Sequence, residues 1–508
     1  MPKHNEWFSN EDQTRNTPNI SDKVIWTNYL GVAIKNRILP FKIKQNMKIK
    51  FCGAAQEVTG SCHLVTLEDG YKILLDCGLY QGRNKDMADF NQKFLFNPAD
   101  IDCLILSHSH IDHTGRVPKL IKDGFRGSIF STHATRSLCA IMLKDSALIQ
   151  ERDAYYHNKR NPKNKREPLY KSPDVEETMR HFTGFPYDKW TKITNNLEIQ
   201  YRDAGHILGS ANVTLRIREG KRTIHLGFTG DIGRPNRPIL RDPQKMPPVD
   251  YLICESTYGD RVHDEKPKEL DRFLNIIRTA CVERKGKLLI PAFSVGRTQE
   301  IVYMMDQLEN AGKLPKIPIY VDSPLAVNAT TIFGAHPECY DDDLQNYLLI
   351  DDNPFGFNAL KYIKRVETSK ALNHRKEPCV IISASGMLNA GRAKHHLANM
   401  VENPKNTILL VGYASPYTPA GRLRNGAEEL RLYGERKKVQ ATIETMDSFS
   451  AHADRLEIYD FLKGQQQHIK KIFLVHGTID RQKSLAGLLK DGGFREICIP
   501  ELGEEHDV

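Results

Sequence analysis

Residues 104–115 read LILSHSHIDHTG, and the chemistry of the chain turns on them. The apolar run Leu104-Ile105-Leu106 has the composition of a buried strand. It leads straight into His108, His110, Asp112 and His113, four metal-binding side chains within six positions. In an extended chain His108 and His110 project to the same side. The chain must then bend, which turns Asp112 and His113 toward a second ion. Imidazole nitrogens with a carboxylate oxygen suit zinc or a similar borderline metal. One histidine at a strand end is ordinary; this density is that of a metal site.

Two ions need more ligands than one motif supplies. Other apolar strands end in the same way: His206 in DAGHILGSA, Asp231 in FTGDIG and His476 in IFLVHGT. Ligands at the carboxyl ends of strands are expected at an α/β crevice. Taken singly, each is as readily a capping aspartate or a packed histidine; beside the cluster they read as ligands. Asp76 closes KILLDCG and reads as a group that orients a ligand imidazole. His4, His157, His263, His374 and His506 stand in polar context and read as surface residues.

The chain has 508 residues, 40% of them hydrophobic, enough for about two to four domains with sizeable cores. Its formal charge of +9 favours a polyanionic partner. Ten cysteines are scattered from Cys52 to Cys498 with no CxxC pair. They read as reduced, buried small hydrophobes in a cytoplasmic protein. No apolar run is long enough to span a bilayer, and no signal-peptide pattern opens the chain, so no membrane association is expected.

Residues 1–46 are polar and irregular and read as a flexible arm, with Met47 an alternative start. From Lys48 the pattern is mixed α/β. Strands are expected at 48–52, 62–67, 71–76, 101–106, 128–131, 197–202, 212–218, 222–227 and 250–254, with a long helix over 133–158. Between 286 and 425 four strand–loop–helix units follow one another: LLIPAFSVGRTQE, IPIYVDSPLAVNA, CVIISASGMLNAGR and TILLVGYASPYTPAGR. Such alternation predicts a parallel sheet with right-handed crossovers. Strands and helices then resume from 438 onward, so the βα block reads as an insertion. The domains expected are 47–257, an inserted domain over 258–430, and 431–508 completing the first.

HSHIDH, with Asp76, His206 and Asp231, resembles the metallo-β-lactamase superfamily in order and context. Glu255 in ICESTYGDR, His452 in FSAHAD and His476 in LVHG are similar to motifs A, B and C of its β-CASP nuclease branch. The resemblance runs from Lys48 to the end. It implies an αββα metallo-β-lactamase sandwich with an inserted parallel-sheet α/β (β-CASP) domain. It also implies two zinc ions: one on His108, His110 and His206, the other on Asp112, His113 and His476, with Asp231 bridging. A histidine in motif C is typical of the RNA-processing members. The chain departs from the family in reading LVHGT, with Thr478 where a glutamate often stands. It looks most like the compact bacterial relatives of the pre-mRNA 3′-end processing endonuclease.

Two metals polarise a phosphodiester oxygen and supply hydroxide at neutral pH. Asp112 belongs to that catalytic pair of shells, His452 is the expected general acid, and Glu255 the group that orients it or keeps it protonated. Ser383, Ser385 and Gly386, between a strand and a helical stretch, are expected to bind RNA phosphates, with Arg297 adding charge. The basic segment 159–166 reads as a solvated loop. The function expected is a zinc-dependent ribonuclease acting on single-stranded RNA and leaving 5′-phosphate and 3′-hydroxyl ends. The alternatives are a β-CASP DNA nuclease and a catalytically silent RNA-binding subunit. A homodimer, and endo- against 5′-exonucleolytic action, are left open.

Overall fold

The computed structural model describes residues 46–82, 87, 89–263, 269–412, 414–446 and 450–508. All of the arm expected at 1–46 except Asn46 lies outside the described residues. Two seven-stranded sheets face one another. The first runs Glu505–Asp507, Lys48–Gly53, Cys62–Thr66, Lys72–Leu75, Cys103–Ile105, Ser128–Thr132, Phe182–Phe185. The second runs Ile497–Cys498, Lys471–Val475, Tyr251–Glu255, Arg222–Phe228, Ala211–Glu219, Leu197–Asp203, Thr191–Lys192.

Apolar side chains alternating along these strands meet between the sheets, where Ile49, Phe51, Val65 and Ile105 pack with Val213, Leu226, Ile253 and Phe473. The opposite face of the first sheet buries Leu74, Leu104 and Ile129 under helices that include Val117–Lys122 and His133–Arg160. The opposite face of the second buries Leu252, Cys254 and Leu474 under Arg455–Leu462 and Ile479–Asp491. The layers are therefore αββα, as the sequence led us to expect.

The third sheet is wholly parallel, in the order Leu360–Tyr362, Ile319–Asp322, Cys379–Ser383, Lys287–Pro291, Thr407–Val411, Thr442–Met446. Its central strands are buried on both faces, which is why they read as unbroken apolar runs. Two expectations need correction. The first strand after the insertion, expected to open at 438 and to belong to the first domain, lies at Thr442–Met446 and pairs with Thr407–Val411, so this sheet draws on chain beyond residue 430. The helical stretch expected after Ser383–Gly386 begins at Gly391, so the loop is not itself a helix start; Leu388 and Gly391 take positive φ and turn it once more.

Behind the 104–115 motif the backbone is packed too closely for any side chain. Gly78 donates to Ser61 O, and Ser61 N donates to Asp112 O, each at 2.8 Å. A Cβ on Gly78 would stand 1.6 Å from the Asp112 carbonyl oxygen. The buried guanidinium of Arg116 ties the same loop, donating to Gly78 O at 2.7 Å and Phe90 O at 2.8 Å. Gly78→Ala should keep its secondary structure by circular dichroism yet displace Asp112 and, if the expected metal site forms there, weaken divalent-metal binding about 10–100-fold, the range found for disturbed ligand supports. Competition with a chromophoric chelator measures this, and an unchanged affinity would show that the loop yields without moving its ligand.

Candidate metal centre

Strand Cys103–Ile105 delivers the motif to one end of the first sheet, and the chain then turns into the single helical turn Ile111–Thr114, with His110 at its N-cap position. His206 follows Leu197–Asp203, Asp231 follows Arg222–Phe228, and His476 follows Lys471–Val475. Asp76 and His476 both adopt left-handed backbone, φ 56° and 54°. That conformation is uncommon outside glycine and is found at functional sites held by their surroundings.

The donor atoms converge in two sets. In one, His110 Nδ1 lies 3.1 Å from His108 Nε2 and 3.2 Å from His206 Nε2, while Asp231 Oδ2 lies 3.4 and 3.5 Å from those two Nε2 atoms. In the other, His113 Nε2 lies 3.1 Å from His476 Nε2, which lies 3.6 Å from Asp112 Oδ2. Asp231 Oδ1 faces this second set, 3.3 Å from His113 Nε2. A tetrahedral ion with bonds of about 2.0–2.1 Å spaces its ligands roughly 3.3 Å apart. The two sets therefore have the spacing of two metal shells sharing one carboxylate.

Protonation agrees with that use, since a metal needs neutral imidazoles and ionised carboxylates. Burial drives His108 and His206 far below the ordinary imidazole value, and His110 down to about 4. Burial pushes the Asp231 carboxyl up, but His113, His476, His108 and His452 outweigh it and hold it well below the carboxylate range. Asp112 is lowered too, against burial, by His476 and His113. His113 is the exception: burial is overcome by Asp231 and Asp76, which raise it. A cation bound at its Nε2 would take the place of that proton.

Each supporting contact fixes a ring. Asp76, fully buried, accepts from His113 Nδ1 at 2.6 Å and from Ser107 N and Oγ, both at 2.8 Å. Ser107 Oγ also lies 3.1 Å from His108 Nδ1, so one aspartate steadies two imidazoles. Thr257 Oγ1 lies 3.0 Å from His476 Nδ1, and Ala451 O lies 3.2 Å from His206 Nδ1. Ser107 and Thr257 escaped the sequence reading because an isolated hydroxyl beside a ligand has no pattern of its own.

His452 stands against this centre, its ring 4.5 Å from that of His206 and its Nδ1 3.4 Å from Glu255. Burial lowers its pKa, but Glu255 and Asp231 more than compensate and hold it up to about 9. Glu255 is fixed by the backbone N–H of Ile232 at 2.5 Å and of Thr257 at 3.3 Å. His263, expected at the surface, is instead half-buried behind the motif, its Nε2 3.1 Å from the His452 carbonyl and its N–H donating to Asp454.

The phosphate-binding expectations fare unevenly. Ser383 is buried and its hydroxyl donates to Asp322 O at 2.9 Å, so it offers no group to a substrate. Ser385 is partly exposed and donates to Asn389, and Gly386 lies against the half-exposed ring of Phe293. Arg297 is 8% exposed and paired with Glu300, which also binds Arg237 at 3.0 Å. It serves the join between the domains rather than open solvent: Gly296, at the start of its helix Arg297–Asn310, approaches Ile207, the neighbour of His206.

Known proteins resemble this chain along most of its length. Residues 55–125 match the metallo-β-lactamase superfamily, 298–423 the β-CASP domain, and 436–500 the Zn-dependent metallo-hydrolase RNA specificity domain. The chain is 35% identical over 464 residues to Ribonuclease TTHA0252 of Thermus thermophilus, covering 90% of this chain and 99% of that protein. It is 31% identical to the transcription termination factor FttA of Methanosarcina mazei, covering 85% and 67%, and 31% identical to the RNase J-like protein of Methanocaldococcus jannaschii, covering 86% and 94%. A crystal structure of an Enterococcus faecalis protein of unknown function shares the fold, with TM-score 0.53, 12% identity, and 91% and 100% coverage. The chain belongs to the β-CASP ribonuclease branch of the metallo-β-lactamase superfamily.

Proposed function

We propose that the chain hydrolyses single-stranded RNA with two zinc ions, leaving 5′-phosphate and 3′-hydroxyl ends. The observation that carries this is Asp231, whose two oxygens face two separate donor sets with His452 alongside. His108, His110 and His206 would hold one ion and Asp112, His113 and His476 the other. Ions so held supply Lewis acidity toward a phosphodiester oxygen and a more acidic water.

The remaining work falls to side chains. As the bond from phosphorus to the 3′-oxygen breaks, that oxygen must gain a proton. His452 is placed to give it: Nδ1 faces Glu255, leaving the Nε2–H end for the leaving group. Glu255, fixed by two backbone N–H groups, keeps the imidazole charged and oriented. RNA is favoured over DNA by the His476 motif and by the ribonuclease name of the Thermus relative. Phe293, half exposed after strand Lys287–Pro291 and beside Gly386, offers a face for base stacking, with Ser385 and the neighbouring backbone for a phosphate.

Asp112→Ala and His113→Ala should remove cleavage of end-labelled single-stranded RNA, as should chelation, with activity returning on zinc addition to the native chain. Full activity in the metal-free protein, or equal cleavage of matched DNA, would sink the reading. His452→Ala should slow RNA cleavage by about 10²–10⁴-fold. It should slow a nitrophenyl phosphodiester far less, because that leaving group departs without a proton; equal losses on both substrates would exclude the acid role. Phe293→Ala should raise KM for single-stranded RNA about tenfold with kcat little changed, as loss of one stacked base implies.

A further inference from the structure

A second group of side chains able to bind a metal shares no residue with the donor sets described above. Cys498 sits on Ile497–Cys498, the edge strand of the second sheet, while His506 sits on Glu505–Asp507, the edge strand of the first, with Glu504 just before it. Their donor atoms lie within 4.8 Å of one another, and among the described residues this is the one such group that contains a thiol. We propose that Cys498, Glu504 and His506 form a zinc site, distinct from the catalytic centre, that clasps the edges of the two sheets.

The donors suit the ion: one sulfur, one imidazole nitrogen and one carboxylate oxygen leave a fourth position for water. Cys498 Sγ lies 3.6 Å from His506 Nε2. A tetrahedral zinc with Zn–S of about 2.3 Å and Zn–N of about 2.0–2.1 Å sets that separation at roughly 3.6 Å. His506 Nε2 lies 2.9 Å from Glu504 Oε1, which must open by about 0.4 Å to reach ligand spacing. Nε2 thus already faces both partners.

The three side chains are held where they are by other contacts. The second carboxylate oxygen of Glu504 accepts from Glu501 N at 2.7 Å, and Glu504 O accepts from Phe51 N at 2.9 Å. The ring of His506 packs 5.1 Å from that of Phe473 and 6.0 Å from that of Phe51. This histidine was expected at the surface; it is half-buried against the core between the sheets. A bound ion would add a bond between the final strand, paired with Lys48–Gly53 of its own sheet, and the edge of the second sheet.

The test uses the full chain, stripped with a chelator and reloaded with cobalt(II). The catalytic donors are all nitrogen and oxygen, so a thiolate-to-cobalt charge-transfer band in the near ultraviolet reports Cys498 whether or not the dinuclear reading stands. The wild type should show the band. Cys498→Ser should lose it, hold one zinc ion fewer per chain by elemental analysis, and cleave RNA at the wild-type rate. No band in the wild type, or a band that survives in Cys498→Ser or in His506→Ala, would overturn the proposal.

Discussion

The carboxylate of Asp231 is the constraint around which the catalytic end is arranged. It is 2% exposed, yet five imidazoles approach it: His108 and His206 on one oxygen, His113 and His476 on the other, and His452 beside them. A charge buried this deeply is tolerable only when it is paired. Imidazoles whose lone pairs face each other at 3.1 Å need a proton or a cation between them. Cations held between the rings would satisfy both demands at once, so in this metal-dependent RNA nuclease the donor set would be unfavourable without metal.

Everything nearby serves to bring those atoms together from strands far apart in sequence. The ligands come from the ends of four strands, in both sheets, so no single segment holds the site. The left-handed residues Asp76 and His476 both reach His113, at its Nδ1 and its Nε2 respectively. Gly78 admits the Asp112 backbone, and Arg116 locks the loop behind it. Glycine and buried arginine here are consequences of the site's geometry, not of the sandwich in general.

The layers and the ligand types were legible because both leave periodic or clustered marks. Buried parallel strands read as apolar runs, and His108 to His113 are adjacent in sequence. What stayed hidden depends on three-dimensional neighbours. Ser383 looks like an anion-binding residue until Asp322 takes its hydroxyl. Arg297 looks like a free cation until Glu300 claims it. His263 and His506 sit in polar sequence, yet the first supports the His452 loop and the second packs on Phe51 and Phe473. Composition around a residue reports polarity rather than pairing: Asp322 and His452 lie far from Ser383 and His263 in sequence, while Glu300, three positions from Arg297, meets it only once the helix Arg297–Asn310 forms.

The inserted sheet does more than add surface. Its helix Arg297–Asn310 starts against Ile207, one residue from His206 of the donor set, and Arg237 from the sandwich meets Glu300 from the insertion in a largely buried ion pair. A buried pair of this kind contributes little net stability, because desolvation offsets its attraction, but breaking it strands a charge and so fixes how the two parts meet. Phe293 and Gly386 lie on the loops that leave the carboxyl ends of Lys287–Pro291 and Cys379–Ser383, the place where open α/β sheets bind ligands. The helix that starts beside His206 follows directly from the Phe293 loop, with Thr298 donating to the Phe293 carbonyl at 2.7 Å. The insertion therefore links the loop that carries His206 to the exposed ring of Phe293 through one short segment, residues 293–297, an arrangement that would suit a chain-like substrate better than a small ester.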